Sequence, residues 1–139
     1  MTVAAPSALT LLDAARMMRE AVRDKTYLEF PLGQEVAGYL RVKRKRLTET
    51  SYRDYEGSLD KFVRYFMDLE LADFEPPIGV NRIEEFLDAQ YGKKAPRTYN
   101  KNLSILGDFF KHKVIRGELH GDPTTPVERA RSRDVYRTT

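Results

Sequence analysis

The chain contains no cysteine and no tryptophan, and only two histidines. Without cysteine there are no disulfides and no thiolate metal sites, which fits a reducing cytoplasm. No run of eighteen apolar residues occurs, so no membrane-spanning helix is expected. The opening stretch, MTVAAPSALTLLDAARMM, lacks the basic lead and long apolar core of a secretory signal. H-E-x-x-H, phosphate-loop and dinucleotide-binding patterns are all missing, which removes the commonest metal-hydrolase, nucleotide-hydrolase and dehydrogenase readings. A large excess of one charge is also lacking: 24 basic residues face 21 acidic ones, for a net charge of +3. Bulk charge therefore does not announce a nucleic-acid partner.

The distribution of charge is more informative. Residues 41–46, RVKRKR, hold five basic side chains in six, and RARSRDVYR at 129–137 adds four arginines. Acidic residues collect elsewhere, at Asp68, Glu70, Asp73 and Glu75 and again at Glu84, Glu85 and Asp88. Such a chain can bind a polyanion on one side only. Its 139 residues, 41% hydrophobic with eight Tyr and seven Phe, are enough for one folded domain with its own core.

Periodicity is helical throughout, with no strand pattern of useful length and no internal repeat. Leu9, Leu12, Ala15 and Val22 place an amphipathic helix over 9–25, balanced in charge and so suited to docking on protein. Pro31 biases Phe30 to extended backbone and breaks that helix. A second helix is expected from Gln34 to about Arg46, burying Val36, Ala37, Tyr39 or Leu40, and Val42. A third, capped by Thr48 or Thr50, should reach about Leu69 with Tyr52, Tyr55, Leu59, Phe62, Val63 and Phe66 inward. Gly57 within it suggests a close approach, to another helix or to a ligand. Leu71 to Gly79, with Pro76-Pro77, reads as a loop. Asn81 and Glu84 resemble a capping box opening a fourth helix that buries Ile83, Phe86 and Leu87 and stops near Gly92.

The segment 96–123, PRTYNKNLSILGDFFKHKVIRGELHGDP, carries the most information. Tyr99, Leu103, Leu106, Phe110 and Val114 form one continuous apolar stripe. Pro96 suits a first helical position and Gly117 the left-handed residue past the end. Beside the stripe, Arg97, Thr98, Lys101 and Asn102 put hydrogen-bond donors on the first turns.

This run, in particular Thr98, Tyr99, Asn102, Leu103, Ser104, Leu106, Phe109, Phe110, Arg116-Gly117 and Asp122-Pro123, resembles the last helix of the core-binding domain of tyrosine recombinases, the phage-integrase family. Residues 47–55, LTETSYRDY, followed by Leu59, Phe62 and Phe66, resemble that domain's other long helix. The likeness covers roughly residues 34–123. It implies an all-α, four-helix, SAM-like core-binding bundle with an additional N-terminal helix. The corresponding division is 1–31 as N-terminal helix and connector, 32–122 as the DNA-binding core, and 123–139 as a basic linker toward a catalytic domain.

The resemblance also implies a clamp on double-stranded DNA, in which two helix amino termini, near Thr48 and near Arg97, point at the major groove. Helix amino termini favour phosphate, so Thr48, Thr50 and Thr98 fit there physically. Arg53, Arg97, Lys101 and Asn102 have the reach and donors for phosphates or base edges. Lys43, Arg44, Lys45 and Arg46 would follow the backbone. Each has a plainer role: Thr48 and Thr98 as caps, Arg97 and Lys101 as solvated charges, Tyr52 and Tyr99 as core.

The family's catalysis needs a tyrosine nucleophile with arginines, a lysine and a histidine in a separate domain of the same parent chain. Tyr136 has no such surroundings, and His112 with Arg116 is spaced H-x-x-x-R rather than H-x-x-R. No catalysis, metal or cofactor is expected of this stretch. Further expectations are protomer contacts through the N-terminal helix, no membrane partner, and a cytoplasmic, nucleoid-associated location. The competing reading is a helical protein-protein interaction module that binds no DNA. A helix-turn-helix regulator fits less well, because it needs a short two-helix unit with a three- or four-residue turn.

Overall fold

Tyr27–Glu29 form a single 3-10 turn, after which Phe30 is extended (φ −99°, ψ 149°) and Pro31 opens the first helix, α1, Pro31–Lys43. The computed structural model describes residues 27–131. The helix expected over 9–25, the protomer contacts assigned to it, and Tyr136 lie outside the described residues. The remaining helices are α2, Glu49–Phe66, α3, Ile78–Tyr91, and α4, Pro96–Ile115, with a second 3-10 turn at Leu71–Phe74 between α2 and α3. No strand occurs among the described residues. The all-α expectation of four core helices is correct.

Each helix starts where the backbone is prepared for it. Pro31 and Pro96 occupy first-turn positions, where a missing N–H leaves no acceptor unsatisfied. Thr48 caps α2 by accepting the Ser51 amide at 3.2 Å. The capping box is not at Asn81 and Glu84, because α3 begins a turn earlier at Ile78. It lies at Glu70 and Asp73, which close the Leu71–Phe74 turn inside the expected loop. Two glycines serve close approach: a Cβ at Gly33 would fall 1.6 Å from the Tyr27 carbonyl oxygen, and one at Gly79 1.8 Å from that of Phe74. Gly57 has open space around it, so no other helix among the described residues approaches it closely. Gly117 takes the left-handed conformation anticipated for it, with φ 77°.

The core is aromatic. Phe62 on α2 sits at its centre, with the rings of Phe66, Phe74, Phe86, Phe109 and Phe110 at centroid distances between 5.2 and 6.3 Å, mostly edge to face. Such pairs add about 0.5–1.5 kcal/mol each to the burial of ring area. The α4 stripe is inward as expected, with Leu103, Leu106 and Phe110 buried and Tyr99 and Val114 packed at its edge. Val42 departs from expectation: it is 47% exposed, because α1 ends one residue later and its inward face stops at Leu40.

Helix directions follow from paired contacts. Asp54 meets Lys101 at 3.1 Å, and eight residues on in both helices Phe62 meets Phe109. The pairing advances in the same sense along both, so α2 and α4 run parallel with their first turns level. Along α1, Glu35 meets Lys113 and Lys43 meets Asp108, so α1 is antiparallel to α4. One end of the bundle therefore gathers the amino ends of α2 and α4 with the carboxyl end of α1.

Residues 123–131, the described part of the expected basic linker, pack back on the bundle. Pro123, Thr124 and Val127 are buried, and the segment returns along α4 until Ala130 lies beside Asn100.

Candidate nucleic-acid interface

The parallel pairing of α2 and α4 places two helix amino termini side by side. The short run 44–48 brings the basic end of α1 next to them, and the 92–95 turn adds Lys93 and Lys94. Across 41–56 and 93–101 there are ten basic residues and three acidic ones. At the other end, 68–75 carries four acidic residues and no basic one. Basic side chains thus gather where α2 and α4 begin and α1 ends, beside Glu84 and Asp88 of α3, and the 68–75 end is acidic.

The individual side chains divide into three groups. Lys45, Arg46 and Arg97 are exposed, with no ion pair among the described residues. Thr50 is exposed on the first turn of α2, Thr48 is exposed and caps that helix, and Thr98 is half-buried on the first turn of α4. Arg44 lies over the Tyr52 ring at 4.6 Å, which fixes its stem while the guanidinium edge stays in solvent.

A second group is paired but exchangeable. Arg53 meets Glu49 at 3.4 Å with both side chains largely exposed, and Lys101 meets Asp54 at 3.1 Å with both about half exposed. Carboxylates therefore stand within the cationic surface. Exposed pairs of this kind contribute about 1 kcal/mol or less, so an incoming phosphate can replace either acid at small cost.

The third group is committed to the fold, which corrects two expectations. Asn102 is 7% exposed and its amide donates to the Thr98 carbonyl at 2.8 Å, so it is not placed to read a base edge. Lys43 is only partly exposed and binds Asp108 at 2.8 Å. Asp108 also accepts the hydroxyl of fully buried Tyr39. Burial pushes the Asp108 carboxyl up, but the Lys43 ammonium and Tyr39 hydroxyl outweigh it and hold it below its ordinary value. Burial and Asp108 together drive the Tyr39 phenol far above its usual range. Lys43 neutralises a carboxylate that fastens α1 to α4; it is not a freely moving phosphate ligand.

Lys93 and Lys94 were not among the residues singled out in the sequence. They lie in the turn just before Pro96, outside any periodic segment, and only the level first turns of α2 and α4 bring them to the basic end of the bundle. His112, by contrast, is half-buried against the Tyr39 ring at 5.3 Å, and burial with Lys113 and Arg116 lowers its pKa. His120 lies at the opposite, acidic end, bound to Glu75 at 2.8 Å. Among the described residues no group of His, Asp and Glu could hold a metal ion, and no helix is long and apolar enough to cross a membrane. No family model, curated protein or solved structure matches this chain.

Proposed function

We propose that this chain binds duplex DNA through the basic end of the bundle, as the core-binding domain of a tyrosine-type recombinase would. The observation that carries the reading is the parallel pairing of α2 and α4, which sets two helix amino termini side by side under Arg46, Arg53, Arg97 and Lys101. Amide N–H groups and positive dipole at a helix start favour phosphate, and two adjacent starts can engage a backbone while side chains enter the groove between. In such a recombinase catalysis would belong to a separate domain, and the described residues would serve binding alone.

Contact with four or five phosphates gives a log K against log salt slope of roughly −4. The test is fluorescence anisotropy with a labelled duplex across a salt series, with Arg97→Glu/Lys101→Glu as the control variant. Steep salt-dependent binding by the native chain, lost in the variant, supports the reading. A flat salt response, or undiminished binding by the variant, overturns it. Absence of binding even at low salt would favour the protein-interaction module instead.

A further inference from the structure

We infer that residues 123–131 form a strap that adds Arg129 and Arg131 to the DNA-binding rim, with Asn100 as the residue that positions it. The inference rests on the duplex-binding reading above and extends its surface to a part of the chain outside the two helix tips.

The path of the strap is set by specific bonds. α4 ends at the acidic end of the bundle, and the Asp122 carboxylate accepts the Thr124 amide at 2.8 Å and its hydroxyl at 2.6 Å, which turns the chain back. Thr124 then passes Gly107, whose missing side chain makes room: a Cβ there would stand 3.3 Å from the Thr124 Oγ1. Val127 is buried against the core. Arg129 donates to the Ser104 hydroxyl at 2.8 Å and to the Asn100 carbonyl at 3.3 Å. Finally the Asn100 side chain grips the strap from both sides. It accepts the Ala130 amide at 2.8 Å and donates to the Ala130 carbonyl at 2.9 Å.

That double bond needs an acceptor and a donor on one short fork, which asparagine has and aspartate or leucine does not. Its effect is to hold Ala130 beside the first turns of α4 rather than at the acidic end where α4 stops. There Arg129 and Arg131 share an open groove of about 650 Å³ with Lys93, Lys94 and Pro96. Glu84 and Asp88 of α3 and Glu128 of the strap line the same groove, so carboxylates and cations stand together in it. Tyr99 lies in the same groove, its phenol pushed up by burial and then by Asp88 and Glu84, which is consistent with an anionic wall there. A guanidinium has five N–H donors, so Arg129, which gives one each to Ser104 and Asn100, keeps three for a phosphodiester. The sequence continues the pattern with Arg133 and Arg137.

The experiment measures duplex affinity and salt slope for the full chain and for Arg129→Ala/Arg131→Ala, Asn100→Ala and the triple variant, with Arg97→Glu/Lys101→Glu alongside. Removing the two arginines should flatten the slope by about 2 and weaken binding roughly tenfold at moderate salt. Asn100→Ala should weaken binding in the native background and add nothing in the background lacking both arginines, an interaction that a purely structural role would not produce. If the double alanine variant keeps the native slope while Arg97→Glu/Lys101→Glu loses binding, the strap inference fails and the helix-tip reading stands. Equal weakening by Asn100→Ala in both backgrounds overturns its positioning role. If the native chain binds no duplex, both fail together.

Discussion

The two ends of this bundle use charge differently. At the acidic end Glu75 is used internally: it accepts the amides of His120 and Gly121 at 2.7 and 3.3 Å and binds the His120 ring. Nearby, Lys113 is 4% exposed and bound to Glu35 and Glu118. At the basic end, Lys45, Arg46, Arg97, Lys93 and Lys94 are exposed and lack ion-pair partners among the described residues, while Arg53 and Lys101 hold only exposed acids. The like charges crowded there repel one another and contribute nothing to folding. The unmatched cations of the basic end form a surface suited to an external polyanion. Substitutions at the acidic end should accordingly change stability, and those at the basic end should change binding.

The largest effect should come from the core shared by both ends. Phe62→Ala is expected to destabilise the fold by about 3–5 kcal/mol, seen as a large drop in the denaturation midpoint. A result below about 1 kcal/mol would mean that the aromatic cluster is not the common support of the two ends. Next, Arg97→Glu/Lys101→Glu should lower duplex affinity ten- to a hundredfold while changing stability by no more than about 0.5 kcal/mol. A comparable loss of stability would break the division between the ends.

Lys113→Ala should do the reverse. It leaves Glu35 and Glu118 without their buried cation; both are about one-third exposed, so water recovers part of the loss. A destabilisation of about 2 kcal/mol with unchanged duplex affinity is expected by urea titration and anisotropy together.

Two smaller effects are pH-dependent. The folded state raises the Tyr39 pKa, so its contribution is complete below the unfolded value near 10 and is lost as pH rises above it. Native protein should therefore lose stability at alkaline pH more steeply than Tyr39→Phe, in which Lys43 still holds Asp108. Glu75 shows the opposite sign. The His120 hydrogen bond, with the amides beside it, lowers its pKa, so its contribution is present above the unfolded carboxylate value and disappears as pH falls through the folded one. The melting-temperature difference between native protein and Glu75→Ala should be small at neutral pH and should vanish in acid. A difference that grows in acid would place the Glu75 link outside this account.

Much of the helical layout is visible in the sequence because apolar spacing is a local property. The α4 stripe, Pro96 and Gly117 occupy the expected positions, and the Thr48 cap is where its spacing puts it. The features that remained hidden are those set by tertiary pairing. Nothing in the spacing of α2 or α4 reports that the two run parallel with level first turns, since that depends on Asp54 finding Lys101 and Phe62 finding Phe109. Asn102 looked like a donor for DNA because its neighbours are, but its place on the helix turns it toward the Thr98 carbonyl. The strap has no apolar period for a simple reason: Thr124 and Val127 anchor it singly, and its register comes from Asn100 in another element. The Leu71–Phe74 turn was masked by the loop signal of Pro76-Pro77, although Glu70 and Asp73 have capping-box spacing.

The central claim is that one end of the bundle meets the duplex and the other does not. Amide chemical-shift mapping of the native chain, titrated with duplex at low salt, tests it most directly. Perturbations should cluster at 44–53 and 93–101 and leave 68–78 and 118–122 unmoved. Perturbations centred on Glu75 and His120, or spread evenly over both ends, would contradict it.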